Sequence, residues 1–350
     1  MMDKIDKKLT IVMAVYNKEN LIKRAIDSIL CQETDYLYKI VIIDDCSSDG
    51  SQIVIEEYKK QYPNIIEFHQ NKKNMRYFGA VLTGCKKITT PYWTVLDPDD
   101  YWTDKKHLND AVEFLENNED YALYASNAMM LSDTGKEMGV ISPLFSCPNY
   151  SLKTSDICPY THTSATFYRN YYTPTDIADL KKYINTPYEK VIEGDSFRNF
   201  WHLNKGKGFY CSTIKSVYEV DQKGIYSILS DIQKDILNAK LFYFCYLFFD
   251  KNIEFKFLKT THFFLRKIYS SLAFIDLDQK VKNEVFDLSN IVFFINKECS
   301  QVVPVNIIRE KQNKRYYLFK FIPILNVKYR KNICRVYIFG FIPILKIRYK

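Results

Sequence analysis

Apolar and polar residues alternate in blocks through the first half of the chain. Residues 9–15 (LTIVMAV) are an apolar, β-branched run, and 21–32 (LIKRAIDSILCQ) places its apolar residues at helical spacing. The same two patterns return at 40–43 and 52–62, and a further strand-like run follows at 65–71. Short apolar runs bounded by polar turns predict buried strands, and apolar residues three and four positions apart predict amphipathic helices.

The alternation continues into the middle of the chain. It predicts a helix over 79–88, a strand over 92–96, a helix over 105–118 and a strand over 121–131. Strands that alternate with helices are typical of an α/β fold whose mainly parallel sheet is covered on both faces. Residues 228–295 predict further helices.

The C-terminal segment contains an internal repeat. Tyr317–Tyr329 (YLFKFIPILNVKY) matches Tyr337–Tyr349 (YIFGFIPILKIRY) at a period of twenty residues. Each copy has the alternation of a strand pair interrupted by a proline. We therefore expect three parts, which are an α/β domain (1–225), a helical region (226–308) and a short β-rich, basic and aromatic tail (309–350).

Charge is concentrated in that tail. The chain has a formal net charge of +8, and residues 309–350 carry twelve Lys and Arg against one acid, Glu310. Basic and aromatic residues together favour peripheral contact with anionic lipid head groups. An alternative is a small β appendage that packs on its own domain or on another protein. Nucleic acid is not expected as a partner, because no recognised module is present and the rest of the chain is slightly acidic.

Neither the cysteines nor the N-terminus indicates export. The nine cysteines form no CxxC pair and no zinc-ligand spacing, and the N-terminus lacks the apolar core of a signal peptide. The longest apolar runs are far shorter than the roughly 20 residues that a spanning helix needs. These features predict a cytoplasmic protein, with the inner face of the cell membrane as its contact surface.

Acidic clusters follow two of the predicted strands. One contains Asp44 and Asp45 (VIIDDCSSDGS), and the other contains Asp97, Asp99 and Asp100 (VLDPDDYW). The carboxyl ends of parallel strands meet at one edge of a sheet, where ligands bind, so we expect the clusters to lie together. The second cluster offers hard oxygen ligands for Mg²⁺ or Mn²⁺. The alternative is a solvated acidic turn.

Two further assignments stay open at this level. Asp44 and Asp45 suit hydrogen bonds to a nucleobase or ribose, whereas Asp, Ser and Gly in such a loop also stabilise turns by themselves. Glu193 and Asp195 (VIEGDSFRNFW) suit a general base, whereas Asp195 also suits a helix cap.

The four segments TIVMAVYN, VIIDDCSSDGS, VLDPDDYW and EGDSFRNFW, in this order, resemble family 2 of the inverting glycosyltransferases, which have the GT-A fold. The resemblance covers about residues 8–225 and points to the bacterial cell-surface glycan type. It implies a nucleotide-sugar donor, a glycan or lipid-linked acceptor, and Mn²⁺ or Mg²⁺ as cofactor.

The resemblance also implies residue roles. Asp195 takes the place of the catalytic base, and Asp99, followed by Asp100, takes the place of the metal ligands. The donor side is lined by Ala14, Val15, Tyr16, Asn17, Asp44, Asp45, Lys73, Arg76, Asp97 and Asp99. The candidates on the acceptor side are His162, Glu193 and Trp102.

The chain departs from the family pattern at two places. Many members have an Arg-Asn pair where this chain has Val81 and Leu82, so Arg76 or Lys73 is expected to replace the missing arginine at the diphosphate. Many members also carry an Arg and a His in the segment that here offers Glu219 and Asp221.

The expected reaction is transfer of a sugar, from a UDP-sugar in the first instance, to an acceptor hydroxyl with inversion. The alternatives are a sugar nucleotidyltransferase and a catalytically inactive relative that acts as a membrane scaffold. The absence of glycine from AVYNKEN counts against the first, and retention of Asp99, Asp100 and Asp195 counts against the second.

Overall fold

The computed structural model describes most of the chain up to residue 298 and five short segments after it. The described residues are 7–142, 148–152, 161–220, 224, 226–249, 251–298, 308–310, 313–317, 323–330, 333–338 and 342–348. The chain divides into two compact units, Met1–Asp276 and Leu277–Lys350. The three-part division at residues 225 and 308 stays a prediction.

The first unit contains ten described strands and nine described α-helices. Its strands are β1 (Leu9–Val15), β2 (Tyr38–Asp44), β3 (Ile66–Gln70), β4 (Tyr92–Val95), β5 (Tyr101–Trp102), β6 (Tyr121–Ser132), β7 (Glu137–Val140), β8 (Asn149–Tyr150), β9 (Thr166–Arg169) and β10 (Lys207–Val220). Its helices are α1 (Ile22–Leu30), α2 (Ser51–Gln61), α3 (Arg76–Cys85), α4 (His107–Asn117), α5 (Pro174–Lys181), α6 (Glu189–Ile192), α7 (Asp195–Leu203), α8 (Asp231–Phe248) and α9 (Lys251–Ser270).

The ten strands of the first unit form one sheet. Its main order is β3-β2-β1-β4-β9-β6-β10-β5, with β7 paired to β6 and β8 paired to β10. Strands β1 to β4 run parallel to one another, and β10 runs parallel to β6. Strand β9 is antiparallel to both β4 and β6. The parallel pairings contain most of the paired residues, so the predicted α/β class with a mainly parallel sheet is confirmed.

Side chains of β1 pack into apolar layers on both faces of the sheet. Leu9, Ile11 and Met13 belong to the core cluster that includes residues of α1 and α4. Val12 and Ala14 belong to the cluster on the other face, which includes residues of α3 and α7. A strand that is buried on both faces needs an unbroken apolar run, and this explains why LTIVMAV contains one polar residue in seven.

The helical region that follows β10 shares the core of the sheet domain. Helices α8 and α9 pack against each other, and α8 also contacts α6 and α7. Phe244 of α8 and Phe257 of α9 are buried in the same cluster as Phe197 of α7. The helices predicted over 228–295 are thereby confirmed, and those up to residue 276 belong to the first unit.

The second unit consists of one described helix and a small antiparallel sheet. Its elements are α10 (Gln279–Glu298), β11 (Ile308–Glu310), β12 (Asn313–Tyr317), β13 (Pro323–Arg330), β14 (Ile333–Ile338) and β15 (Ile342–Arg348). Tyr317 pairs with Pro323 in one hairpin, and Tyr337 pairs with Pro343 in the next, each at a register shift. The sequence repeat is therefore also a structural repeat of two strand pairs.

Some local features of the structure are not contained in the apolar pattern. Helix α1 begins after Leu21 without a capping side chain. Strand β9 and the fourteen-residue β10 were not anticipated from the pattern. Among the described residues, no helix combines the length and apolar character needed to cross a bilayer.

Helix α3 lies unusually close to the sheet at one glycine. A Cβ atom at Gly84 would overlap Cγ1 of Val12 in β1, and it would contact Ile43 in β2 at 3.5 Å. Val is β-branched and has few alternative rotamers, so it cannot easily move aside. The glycine thereby sets how closely α3 can cover the centre of the sheet.

We predict that Gly84→Ala destabilises the protein by about 1–3 kcal/mol, the usual cost of overpacking. On an exposed helix face the same change would stabilise by about 1 kcal/mol, because Ala is the better helix former. The measurement is the free energy of unfolding in urea. The double variant Gly84→Ala/Val12→Ala removes the overlapping methyl, so its loss should be smaller than the sum of the two single losses. Strict additivity would contradict the close contact.

Candidate active site

The carboxyl ends of β1, β2 and β4 bring three polar loops together at what we call the carboxyl edge. It consists of residues 16–21 after β1, 45–50 after β2 and 96–100 after β4. Strand β1 lies between β2 and β4 in the sheet, so its loop borders both of the others. The predicted meeting of the two acidic clusters at one edge is observed.

The loop after β1 is bonded to the loop after β2 by alternating contacts. The backbone N–H of Asn17 donates to Ser47 Oγ at 3.0 Å, and the N–H of Ser48 donates to Asn17 Oδ1 at 2.8 Å. The N–H of Lys18 donates to Ser51 Oγ at 2.9 Å. Asn17 has a φ of 52°, a left-handed conformation that Asn tolerates better than most residues. The two loops are thus one ordered surface.

Of the four residues Ala14–Asn17, only the last two present side chains at this surface. Ala14 and Val15 are 7% and 1% exposed and belong to the core. Tyr16 is 50% exposed, and Asn17 is also exposed. The expectation that Ala14 and Val15 line the donor site is therefore corrected, because their side chains are needed inside the sheet.

Asp44 stabilises the loop that follows it. Its carboxylate accepts from the backbone N–H of Ser47 at 3.2 Å and from Gln52 Nε2 at 2.8 Å, and the residue is fully buried. The structure therefore does not support a donor-binding role for Asp44. Its contacts are those of an Asx turn, which was the alternative interpretation.

Asp45 organises the neighbouring segment 71–76. Its Oδ1 accepts from Asn71 Nδ2 at 2.7 Å and from the backbone N–H of Met75 at 2.8 Å. The Met75 N–H also lies 3.0 Å from Oδ2, and Asp45 is 2% exposed, so its carboxylate is largely enclosed by this segment. A carboxylate has about four lone-pair sites, so one further donor can still be accepted where the segment leaves it open. Asp45 thus lies at the carboxyl edge and fixes the loop that borders it.

Arg76 and Lys73 are the two basic residues expected to replace the missing arginine, and they lie in different environments. Arg76 has a φ of 60°, and its Nη1 lies 3.2 Å from Glu189 Oε2. Lys73 is exposed on the same loop. Val81 and Leu82, at the positions of the family's Arg-Asn pair, are buried in α3. The guanidinium of Arg76 is therefore already paired with a buried carboxylate.

The acidic turn after β4 divides its three carboxylates between interior and surface. Asp100 is 1% exposed, and its Oδ1 accepts from the backbone N–H of Glu219 at 3.2 Å. Its Oδ2 lies 3.4 Å from His162 Nδ1 and has no hydrogen-bond partner. Burial, followed by the charges of Asp97 and Asp99, raises the pKa of Asp100 well above its usual range. Asp100 Oδ2 is thus a buried oxygen with an unmet acceptor, and the assignment of Asp100 as a metal ligand stays a prediction.

Asp97 and Asp99 remain accessible in part. Burial, then the charge of Asp99, raises the pKa of Asp97 to about 7, and Arg198 acts in the opposite direction. The Tyr77 hydroxyl forms a hydrogen bond with Asp97, while Asp97 Oδ1 is buried without a partner. The Asp99 side chain is 22% exposed, and its Oδ2 lies 2.7 Å from Lys18 Nζ.

Asp195 lies in the first turn of α7, with Gly194 as the N-cap residue. The interpretation of Asp195 as the helix cap is therefore wrong, because Asp195 is the first residue of the helix and Gly194 precedes it as the cap. Burial raises the pKa of Asp195, and Arg198, three residues later, lowers it. Arg198 is 5% exposed and also acts on Asp97, so it links the turn after β4 to the start of α7 electrostatically.

The acceptor-side candidates occupy three different environments. Burial, followed by the charge of Glu189, raises the pKa of the partly exposed Glu193. The His162 ring stacks on Tyr218 with centroids 4.2 Å apart, and burial lowers its pKa to about 3, so its contact with Asp100 is not an ion pair. Trp102 is 3% exposed and donates from Nε1 to the Ser164 carbonyl at 2.8 Å. Trp102 is therefore a core residue, and its assignment to the acceptor side is corrected.

Strained backbone is concentrated around these residues. The described non-glycine residues with left-handed φ are Asn17, Cys46, Arg76 and Asn185. The first two lie in the loops after β1 and β2, and Arg76 follows the Met75 amide that Asp45 holds. The N–H of Asn185 donates to Glu189, the partner of Arg76. Such conformations cost about 1–3 kcal/mol each and cluster at functional sites.

Sequence reasoning missed three cations of the site. Lys18 contacts Asp99, Arg198 lies near both Asp97 and Asp195, and Arg24 donates from Nη2 to the Asp99 carbonyl at 3.1 Å. Arg24 also pairs with Glu219 at 2.7 Å, whereas Asp221 lies outside the described residues. The sequence did contain one sign of this arrangement, because Arg198 follows Asp195 at the spacing of one helical turn.

The donor set of the acidic turn fits a hard divalent cation in part. Asp97 and Asp99 offer oxygen ligands at D-x-D spacing, and the Oδ1 of Asp97 is buried without a hydrogen-bond partner. Within the described residues, no group of three His, Cys, Asp or Glu side chains is placed to hold a metal ion. Protein side chains would therefore supply a minority of the ligands, as is usual for Mg²⁺ bound together with a phosphate.

The model of glycosyl transferase family 2 matches residues 10–173. The chain is 28% identical to a processive diacylglycerol beta-glycosyltransferase of Mycoplasma genitalium over 127 residues, which cover 36% of this chain and 37% of that protein. It is 35% identical to a poly(ribitol-phosphate) beta-glucosyltransferase of Bacillus spizizenii over 96 residues, which cover 27% of this chain and 15% of that protein.

Similarity to solved structures extends over more of the chain. The crystal structure of residues 1–349 of S. aureus TarS matches with a TM-score of 0.48 and 16% identity, over 90% of this chain and 97% of that one. The chain spans about half the length or less of the curated relatives that it matches.

We predict that Asp45→Ala releases the 71–76 loop. The change removes the acceptor of the Met75 amide, whose net contribution of about 1–1.5 kcal/mol corresponds to roughly tenfold faster hydrogen exchange. Exchange at the Met75 amide, measured by mass spectrometry or NMR, checks this. Asp45→Asn keeps one acceptor oxygen, so its exchange rate at Met75 should lie between those of the wild type and Asp45→Ala. Unchanged exchange at Met75 in Asp45→Ala would contradict the anchoring role.

Proposed function

We propose, from the match of residues 10–173 to the model of glycosyl transferase family 2, that the protein transfers a sugar from a nucleoside-diphosphate sugar to an acceptor hydroxyl. We propose inversion at the anomeric carbon, a UDP-sugar as donor and cell-surface polysaccharide or lipooligosaccharide as the product class. The observation that supports this most is the convergence of the acidic turn, Asp45 and Asp195 on one side of a single sheet.

We assign the donor to the carboxyl edge. Asp45, with its remaining acceptor capacity, would receive a hydrogen bond from the base, and the side chains of Tyr16 and Asn17 would lie against the nucleoside. Asp97 would be close to the ribose, and Asp99 to the diphosphate. Lys73 is an exposed ammonium on the loop that Asp45 fixes, so it is available to a phosphate.

A divalent ion, Mn²⁺ or Mg²⁺, would be held by Asp99 with Asp97 in this proposal. Its chemistry would be neutralisation of the charge that develops on the leaving diphosphate. Asp100 would stabilise the acidic turn from the protein interior, because its contacts with Glu219 and His162 hold the end of that turn against β10.

Asp195 is the proposed general base. It would take the proton of the acceptor hydroxyl while the hydroxyl oxygen forms a bond to the anomeric carbon and the bond to the diphosphate breaks. A base is most effective when its pKa approaches the working pH, and burial moves the pKa of Asp195 in that direction. The charge of Arg198, one turn away, lowers the pKa of Asp195 and so limits the upward shift that burial causes.

We propose a glycan or lipid-linked acceptor, approached past Glu193 and the segment that follows His162. The basic tail, residues 309–350, would contact the inner face of the membrane peripherally and hold the enzyme near a lipid-linked substrate. One matched relative is named for action on diacylglycerol, which is compatible with such an acceptor.

The proposal is tested by donor turnover. The purified chain is incubated with UDP-glucose, UDP-galactose, UDP-N-acetylglucosamine and GDP-mannose with Mn²⁺, and release of nucleoside diphosphate is measured. We expect turnover of one donor, and a loss of about 10²–10⁴-fold in kcat for Asp195→Asn. Asp99→Ala should lose activity and raise the Mn²⁺ requirement.

Asp179→Asn is the matched control, because Asp179 is an exposed carboxylate that pairs with Lys182 on α5. It should retain full activity. The proposal would be contradicted if the wild type turned over no donor, or if both Asp195→Asn and Asp99→Ala kept full activity.

A further inference from the structure

One buried carboxylate oxygen contacts two strained residues from different loops. Oε2 of Glu189, whose side chain is 3% exposed, accepts from the backbone N–H of Asn185 at 2.6 Å and lies 3.2 Å from Arg76 Nη1. Asn185 and Arg76 both have left-handed φ angles, of 64° and 60°. Such conformations persist where the surrounding structure holds them, and here the same oxygen atom contacts both residues.

Glu189 lies on a well-anchored part of the chain. It is the first residue of α6, and Val191 and Ile192 of the same helix are buried in the core cluster that includes residues of α3, α7 and α8. Helix α6 contacts both α8 and α7, and α7 begins with Asp195. The carboxylate is therefore held in place from inside the protein.

The 71–76 loop is held at two adjacent residues. Asp45 accepts from the backbone N–H of Met75 at 2.8 Å, and the side chain of the next residue, Arg76, pairs with Glu189. The Arg76 side chain is 65% exposed, whereas that of its partner is almost fully buried. The guanidinium therefore extends from the loop at the donor side to the helix that precedes Asp195.

The placement of Glu189 is unfavourable for the fold by itself. Its Oε1 is buried and has no hydrogen-bond partner among the described residues. Burial and then the charge of Glu189 raise the pKa of Glu193, while Lys190 and Arg76 lower it. Moving a charge out of water costs free energy unless its partners compensate. The partners of this carboxylate are Asn185 and Arg76, which places its use at the two loops.

We propose that Glu189 is a positioning residue of the proposed active site, and that Arg76 is its tether rather than a ligand of the diphosphate. The role rests on the proposed function, because the tethered loop is the one through which Asp45 and Lys73 would meet the donor. The ion pair docks the loop on α6 and so orders it in the donor-free protein. A nucleotide then binds to a loop that needs little further ordering, which favours binding. Lys73 remains the candidate of this loop for the diphosphate.

The tether is tested first without any ligand. Glu189→Gln keeps the shape of the side chain and removes its charge, so amide hydrogen exchange should become about three- to fivefold faster at both Met75 and Asn185. Arg76→Met should accelerate exchange at Met75 by a similar factor and leave Asn185 unchanged, because the Asn185 N–H keeps its acceptor. Mass spectrometry or NMR measures the exchange, and thermal unfolding checks that each variant is folded.

Binding of UDP in the presence of Mn²⁺ separates a tether from a diphosphate ligand. A tether predicts that Glu189→Gln and Arg76→Met each weaken UDP binding about three- to fivefold, and that the double variant loses no more than the weaker single variant. A diphosphate ligand predicts the opposite sign for Glu189→Gln, because loss of the carboxylate charge releases the guanidinium. Isothermal titration calorimetry measures these affinities.

Kinetics with a donor that is turned over give a further distinction. In Glu189→Gln the KM for the donor should rise about three- to fivefold, while kcat should change by less than about twofold, because Asp195 keeps its place in α7. A general loss of structure would lower kcat as well.

Lys72→Met is the matched control, because Lys72 is an exposed cation of the same loop. It should change neither the exchange at Met75 nor the affinity for UDP by more than about twofold.

Three results would overturn the proposal. These are UDP affinity in Glu189→Gln that equals or exceeds that of the wild type, unchanged exchange at Met75 in both Glu189→Gln and Arg76→Met, and equal losses in Lys72→Met. The exchange measurements need no ligand, so they decide on the tether by themselves. If the wild type binds no UDP, the proposed function fails together with the positioning role, whereas faster exchange at Met75 and Asn185 would still show that Glu189 holds the two loops.

Discussion

The mutual repulsion of carboxylates at the end of β4 is the constraint on which the rest of the site depends. Asp97 is affected by the charges of Asp99 and Asp195, and Asp100 by those of Asp97 and Asp99. The chain relieves this in three ways. Asp100 is turned inward onto a backbone N–H, Arg198 lies near Asp97 and Asp195, and Lys18 lies on Asp99. Such an arrangement contributes little to folding, which favours a role in binding positive charge or phosphate.

The geometry of the sheet makes this concentration of charge possible. Strand β1 is buried on both faces and lies between β2 and β4, so the loops after all three strands open on the same side. The loop after β1 is bonded to the loop after β2 and reaches the turn after β4 through Lys18. The close approach of α3 at Gly84 completes the cover of β1 on one face.

The amino-acid pattern predicted the elements of the first half of the fold well, because buried parallel strands and amphipathic helices have distinct periods. It also placed Asp45, Asp97 and Asp99 at one edge, since the carboxyl ends of parallel strands meet at the same edge of a sheet. It did not reveal which side chains turn inward. Ala14, Val15, Asp44 and Trp102 were assigned to the site by their neighbours in sequence, whereas tertiary packing buries them, and it also leaves Asp45 and Asp100 only 2% and 1% exposed. The antiparallel insertion of β9 and the long β10 arise from pairings between residues far apart in the chain, which no local pattern contains.

The most direct measurement of the central claim is a crystal structure of the full chain with UDP and Mn²⁺, with the metal located by its anomalous scattering. The account predicts the uracil against Asp45, the anomalous peak within coordination distance of Asp99, and the diphosphate between that peak and the loop after β1. A nucleotide bound away from the ends of β1, β2 and β4, or an anomalous peak that does not contact Asp99, would contradict it.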